Sequence, residues 1–431
     1  MHPFFRSICS GFVSSLFLCL LVSCGDNDVS PDPGPPEPST SNTPTTQWHK
    51  GYGTDRGEHI HEVMETSDGG FLGIGQTEDS GGGETSDILV IKIDAEGDFL
   101  WQRIIGQKDK FDVGVCVNEV SDGYLIGGGL SQEGSQQRYL AKLSFSGETV
   151  WQQTYQHSGH GKIRGIALAD NGDILVTGFK AYADPGFVFI ADESEGFVLR
   201  TNSQGELLWE KPLSTSQGAK IRKDQDGYII CTTHWMNDPD HPQDFYLIKL
   251  DNEGNELWAK NYGGDSDEHC YDCDVAMDGG YILGGHTRSP SYGVVNWDFL
   301  LMKINKEGVE EWHQTFGQPR GYDPRYIHDE AYGVRQTPDG GFVLVGGSGD
   351  EHTYSASGHS RGKSDIWQVY AVKVDAAGEV EWEGIYGDAR SNDAGEYIGL
   401  TSDGGFIIGT DSDAAGAENF EPNNFGFLKI K

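Results

Sequence analysis

Along most of the chain, short apolar runs alternate with stereotyped polar turns, and the segment from Asp244 to Gly285 contains every element of the pattern. Phe245 to Leu250 is a near-continuous apolar run that ends in Asp251-Asn252-Glu253-Gly254 and is followed by Trp258. A second run, Tyr281 to Thr287, follows Asp278-Gly279-Gly280. Runs of this length, rich in β-branched and aromatic residues and bounded by Asx-Gly turns, predict strands joined by tight hairpins. The unit therefore reads as four strands. Strand A is Glu268 to Met277, strand B is Tyr281 to Thr287, strand C is Asp244 to Leu250 or Trp297 to Ile304, and strand D carries the tryptophan.

The same A–B turn recurs at Asp68-Gly69-Gly70, Asp122-Gly123, Asn171-Gly172, Asp226-Gly227, Asp339-Gly340-Gly341 and Asp403-Gly404-Gly405. The D-strand tryptophan recurs at Trp48, Trp101, Trp151, Trp209, Trp258, Trp312 and Trp382, about 50 residues apart with one longer interval. A period of that length built only of strand and turn signals belongs to propellers, because helical solenoids use shorter, helix-patterned units. The array begins with a lone D strand, Trp48 to Tyr52, and ends in a C strand, Phe425 to Ile430. The first strand can thus complete the last blade and remove two exposed sheet edges. The expectation is an all-β, seven-bladed β-propeller over residues 47–431, with four antiparallel strands per blade and a closed ring.

The Asp251, Gly254, Trp258 spacing resembles the tryptophan-docking repeat of PQQ-like (quinoprotein-like) propellers, and the whole unit resembles repeats of lipoproteins common in Bacteroidota. The resemblance implies that each tryptophan packs between neighbouring blades. It covers residues 47–431 and speaks to fold rather than activity, since propellers host unrelated functions. The adjacent cysteine pair of the quinoprotein dehydrogenases is missing, so bound PQQ is not expected, and no cofactor is predicted.

Composition adds constraints. The formal charge of -36, from 31 basic and 67 acidic residues, argues against nucleic acid as a partner. Residues 1–23 combine Arg6 with an apolar run ending in Leu21-Val22-Ser23-Cys24. This predicts a lipoprotein signal peptide with Cys24 as the lipidated residue. Residues 24–46, rich in proline, aspartate and serine, predict an extended tether. The expected setting is the cell envelope, through a lipid anchor at the outer membrane, with the protein a monomer.

Variable insertions fall on the B–C and D–A connections, at 182–194, 235–243, 317–328, 349–364 and 412–423. That face is therefore the candidate working face. It brings candidate ligand-binding residues Trp235, Arg325, Tyr326 and His328, and the starts of the inner strands add His59, His61, Arg164, Arg222, His269, Tyr271 and Tyr332. Aromatic, Arg, His and Tyr groups suit a glycan, through stacking and charge-assisted bonds to carboxylate or sulfate. The first expectation is a binding module for a glycan or an envelope protein. A polysaccharide lyase is the alternative, since β-elimination needs a base, an acid and a carboxylate-neutralising cation, and some such lyases are seven-bladed propellers. No motif matches theirs, so no catalytic residue is assigned. A structural lipoprotein, like the PQQ-like propeller of outer-membrane assembly machinery, is the third.

The densest ligand cluster, Asp265 to Asp274, offers Asp265, Asp267 and Glu268 as a calcium alternative. Strand alternation predicts that Cys270 and Cys273 point to opposite faces, which argues against a structural zinc site. Cys116, Cys231, Cys270 and Cys273 are expected to be buried thiols, or to include one bridge between Cys231 and one of the pair.

Overall fold

The computed structural model describes residues 42–53, 56–78, 85–107, 109–181, 194–236, 243–350, 366–388, 391–412 and 424–431. The chain divides into units 1–36 and 37–431, and all described residues belong to the second. The signal peptide, Cys24, most of the tether and the cores of several insertions lie outside the described residues. So do His241, His352, Tyr354, His359, Arg361 and Lys363.

Seven four-stranded antiparallel sheets follow one another along the chain. Blades 1 to 6 span 58–105, 113–155, 160–212, 220–262, 268–316 and 327–386, and blade 7 joins 393–430 to the strand Thr46–Tyr52. That first strand pairs antiparallel with Asn424–Ile430, placing Trp48 opposite Lys429. The only helical turn among the described residues is Pro290–Tyr292. Inner strands of neighbouring blades pack on one another around an axis. The B and C strands are buried on both faces, whereas D strands such as Phe99–Ile105 face solvent at alternate positions.

Two repeated contacts explain the stacking. In every blade a C-strand Lys or Arg lies directly opposite the D-strand tryptophan and reaches the acid of the A–B turn. The pairs are Lys92–Asp68, Lys142–Asp122, Arg200–Asp173, Lys249–Asp226, Lys303–Asp278, Lys373–Asp339 and Lys429–Asp403, at 2.5 to 3.1 Å. A buried cation is tolerated when it is paired in this way, and part of the acidity of the chain serves that purpose.

The second contact is the tryptophan itself. A Cβ added at Gly97, Gly147, Gly205, Gly254, Gly308 or Gly378 would lie 2.3 to 3.3 Å from the indole of the preceding blade. Each of these turn glycines has positive φ, so the position requires glycine twice over. The tyrosine four residues after the indole often bonds the docked turn: Tyr155 and Tyr262 donate to Gly205 O and Gly308 O at 2.7 and 3.0 Å. Trp382 meets no such turn, because blade 7 is closed by a separate strand. Tyr386 donates instead to Pro44 O at 3.1 Å, and Thr43 donates to Glu383 O at 3.2 Å. The docking that the resemblance implies is therefore present, with residues 43–45 replacing the missing turn.

Gly254→Ala should lose about 1–2 kcal/mol from left-handed strain and about 1–3 more from the clash with Trp209. Gly279→Ala, with positive φ but open space around it, should lose only the strain. Chemical denaturation midpoints measure both, and equal losses at the two sites would remove the docking role from Gly254.

Candidate functional site

The inner strands are not regular. Six of the seven carry one residue more than their partner strand requires, and the register shifts bracket His61, Val115, Arg164, Tyr271, Tyr332 and Glu396. An extra residue is left out of the ladder, and its side chain is re-aimed. Here the re-aimed side chains all line one axial chamber of about 50 Å³. The inner strand of blade 4, Lys220–Asp224, keeps its register and contributes Lys220. Each blade therefore supplies one wall residue, and Ala219 and Tyr397 complete the lining.

A second regularity places the bulges. Three residues before the wall residue, five blades carry a fully buried acid: Glu58, Asp112, Glu268, Asp329 and Asp393. Four of them hold the incoming D–A loop through backbone amides. Asp112 accepts from Gln107 N at 2.7 Å, Glu268 from Gly264 N at 2.9 Å, Asp329 from Gln318 N at 2.8 Å and Asp393 from Asp388 N at 2.8 Å. Glu58 accepts from Thr77 Oγ1 at 3.1 Å. Such bonds satisfy loop amides that the ladder leaves over.

The chamber is rich in hydrogen-bond donors. Burial lowers the Arg164 guanidinium to about 10, still charged at neutral pH, and Gln217 Oε1 accepts from it at 2.6 Å. Burial would also lower Lys220, but Glu62 at 2.7 Å, with Tyr397 and Asp272, outweighs it and raises the ammonium. Burial, with the positive charge of His59 and Lys162 beside it, holds His61 neutral well below its ordinary range. Burial also pushes the phenols of Tyr271 and Tyr332 upward, so both stay protonated. Glu396 rises to about 8, through burial and the charges of Asp411 and Glu330, with His59 opposing.

Beneath the chamber a salt-bridge network crosses the axis. Asp272 accepts from Arg222 at 2.7 Å and is also paired with Arg335, and both guanidiniums reach the Tyr397 hydroxyl. Arg335 stacks on the Tyr397 ring at 4.5 Å, with the Lys220 ammonium 4.7 Å from the same ring. Arg222 belongs to this floor, where Asp272 and Cys273 O hold its guanidinium.

The other expected site residues divide into rim and periphery. His59 pairs with Asp411. Burial disfavours its charge, but Asp411 outweighs this and raises the imidazole to about 9. His269 bonds His286 at 3.0 Å and packs 4.5 Å from the Trp297 ring. Tyr271 and Tyr332 meet edge to face at 4.8 Å, and Tyr332 donates to Glu330, which also faces His328 at 3.5 Å. Thus His61, Arg164, Tyr271 and Tyr332 converge on the chamber, and His59, His269 and His328 lie against its neighbours. Trp235, Arg325 and Tyr326 do not line it; Arg325 is exposed, paired with Asp323 and stacked on Tyr326 at 5.4 Å.

One expectation about the Asp265–Asp274 stretch changes. The bulge at Tyr271 inserts one residue between the cysteines, so Cys270 opposes Gly285 and Cys273 opposes Leu283. Both point to the same face and share one core cluster with Cys231; the predicted opposite orientation fails because the bulge shifts the alternation by one. All four cysteines are buried free thiols. Of the acids offered as calcium ligands, Asp265 accepts from Ser291 N, Asp267 pairs with Arg288, and Glu268 holds Gly264 N and Thr287.

Glu396, Asp411 and Tyr397 were not among the candidate residues, whereas the start of the blade 4 inner strand had offered Lys220. Glu396 had a legible signal, because it follows Asp393 at the same three-residue interval that places Tyr271 after Glu268 and Tyr332 after Asp329.

No family model matches the chain, and no curated protein matches it. Among solved structures it is similar to the WD40 domain of Neurospora crassa Pan2, at 12% identity and TM-score 0.54, over 92% of this chain and 97% of that one. The WD40 β-propeller domain of Doa1 matches at 9% identity and TM-score 0.53, over 90% and 97%. A protein of unknown function from Bacteroides caccae aligns at 12% identity and TM-score 0.39, over 70% and 90%. At these identities the WD40 likenesses speak to the fold alone: the chain is a seven-bladed β-propeller.

Burial would raise Asp272, but Arg335 and Arg222 outweigh it and hold the carboxyl below its ordinary value. Its stabilisation is then present above the unfolded value of about 4 and lost as pH falls through the lower folded one. Asp272→Asn should cost about 3–5 kcal/mol at neutral pH, since it leaves two buried guanidiniums without their carboxylate. Urea melts across the acid range should show that difference shrinking below about pH 4; a gap that stays constant would contradict the assignment.

Proposed function

We propose that the protein is a non-enzymatic binding module whose B–C and D–A face captures an acidic glycan, with one carboxylate or sulfate entering the axial chamber. The observation that carries this is the chamber itself: one side chain from each blade, including Arg164, Lys220, His61 and two tyrosine hydroxyls, around about 50 Å³. That space is far below the roughly 300–1,000 Å³ of sites that enclose a small molecule, so a sugar ring stays at the rim. A group the size of a few waters fits inside. Fixed cations and neutral donors favour an anion there through charge-assisted bonds.

In this reading the chain is a PQQ-like repeat lipoprotein, lipidated at Cys24 and held in the cell envelope at the outer membrane by its tether. It acts as a monomer, needs no cofactor and takes no nucleic acid, in keeping with its charge of -36. A partner protein presenting an acidic side chain is the alternative occupant.

A second reading, polysaccharide lyase, is favoured by one observation: a neutral His61, the Arg164 cation and the tyrosines share the chamber. These are the groups β-elimination requires, although the small volume opposes entry of the uronate ring.

Equilibrium binding to a panel of uronate and sulfated oligosaccharides tests the proposal. Arg164→Ala and Tyr332→Phe should each weaken binding about tenfold or more, because a bond to a charged group contributes about 1.5–3 kcal/mol. Arg325→Ala should change it little, and added salt should weaken it. Binding indifferent to Arg164 would overturn the chamber as the site. Release of unsaturated uronate, read by its absorbance, would move the assignment to the lyase.

A further inference from the structure

We propose that His59, Asp411 and Glu396 form a site for one divalent transition-metal ion of the zinc or manganese class, at the wall of the axial chamber. One imidazole nitrogen and two carboxylate oxygens lie within 4.8 Å of one another, on the two blades that meet where the ring closes. His59 is on the inner strand Glu58–Glu65 of blade 1, Glu396 on the inner strand Asp393–Leu400 of blade 7, and Asp411 on the adjacent strand Phe406–Ser412. The bulges set the grouping: Glu396 is the extra residue of its own strand, and His59 lies two positions before the extra residue of its strand.

Three features point to a cation. Asp411 is aimed by the backbone, since its Oδ1 accepts from Ile60 N at 3.0 Å while Oδ2 faces His59 Nδ1. A ligand carboxylate oriented by an outer hydrogen bond is the usual construction of a metal site. Glu396, half-buried on the chamber wall, accepts no hydrogen bond from the described residues and faces the like charges of Asp411 and Glu330. An ion among the three groups would partner it and offset both repulsions.

The donor set selects the ion. A nitrogen with two carboxylate oxygens suits borderline divalent metals, whereas calcium prefers an all-oxygen shell. Three protein ligands leave a coordination position for water or a ligand atom. Because Glu396 is also a chamber wall, the ion would border that space. Nothing here depends on what the outer face binds, and the test reads metal binding alone.

Metal-stripped protein is titrated with zinc, and separately with manganese, by calorimetry and by thermal melting. One ion per chain and a raised melting midpoint are expected. Glu396→Gln and His59→Asn should each weaken zinc affinity at least tenfold, and Asp411→Asn likewise, while Asp265→Asn should leave it unchanged. Melts of the metal-free variants, matching the metal-free parent, show that each is folded. Should one substitution fail to fold, the cobalt absorption bands of the parent protein, diagnostic of nitrogen and carboxylate ligation, supply the second measurement. Absence of stoichiometric binding by the parent, or zinc binding that survives Glu396→Gln and His59→Asn, overturns the proposal.

Discussion

The strand Thr46–Tyr52 seals the ring against Asn424–Ile430, and every other feature of the propeller depends on that pairing. Seven twisted sheets in a row would leave two exposed edges, each a row of unpaired amides and carbonyls. The pairing removes both, and reciprocal bonds between Thr45 and Lys431 at 2.9 and 3.0 Å extend it past the strand ends. Closure also replaces a turn. Elsewhere each tryptophan docks on a glycine turn of the next blade, and at the seam Pro44 and Thr43 stand in for that turn beside Trp382 and Tyr386. The closing strand thus completes a sheet and a blade interface together.

Closure forces the seven inner strands toward one axis, where space for side chains is limited. The single-residue bulges decide how that space is used. Without them His61, Arg164, Tyr271, Tyr332 and Glu396 would follow ordinary alternation; with them, these side chains share a small polar chamber. In four blades the buried acid three residues earlier ties the incoming loop to the strand and so holds the bulge position. Below, Asp272 between Arg222 and Arg335 shuts the axis. The result is a small, half-open, donor-rich chamber of about 50 Å³.

Acidity in this chain is divided by location. Turn aspartates pair with C-strand cations, buried in five blades and half-buried in two, the acids at the starts of four inner strands hold loop amides, and Arg164, Lys220, Arg222 and Arg335 gather near the axis. Within a protein of charge -36, Arg164 and the Glu62-paired Lys220 thus line the chamber, while Asp272 holds Arg222 and Arg335. Partners of both signs feel the outer field first, which falls off within about 10 Å at moderate ionic strength. At shorter range the chamber decides.

Local sequence determined the strands, the Asx-Gly turns, the seven docking tryptophans and the ring, because each depends on interactions a few residues apart repeated at a constant period. Strand B of blade 5 was readable to the residue, Tyr281 to Thr287. The same local logic placed Cys270 and Cys273 on opposite faces, and tertiary structure reversed it. A bulge changes the phase of every residue after it, and its position is set by the neighbouring strand and loop rather than by the strand's own pattern. Whether Arg222 meets a ligand or Asp272 depends on a blade 50 residues away. The grouping of His59 with Asp411, 352 residues apart in sequence, exists only because the ring closes. No period in the sequence encodes that contact; it is a property of the closed circle.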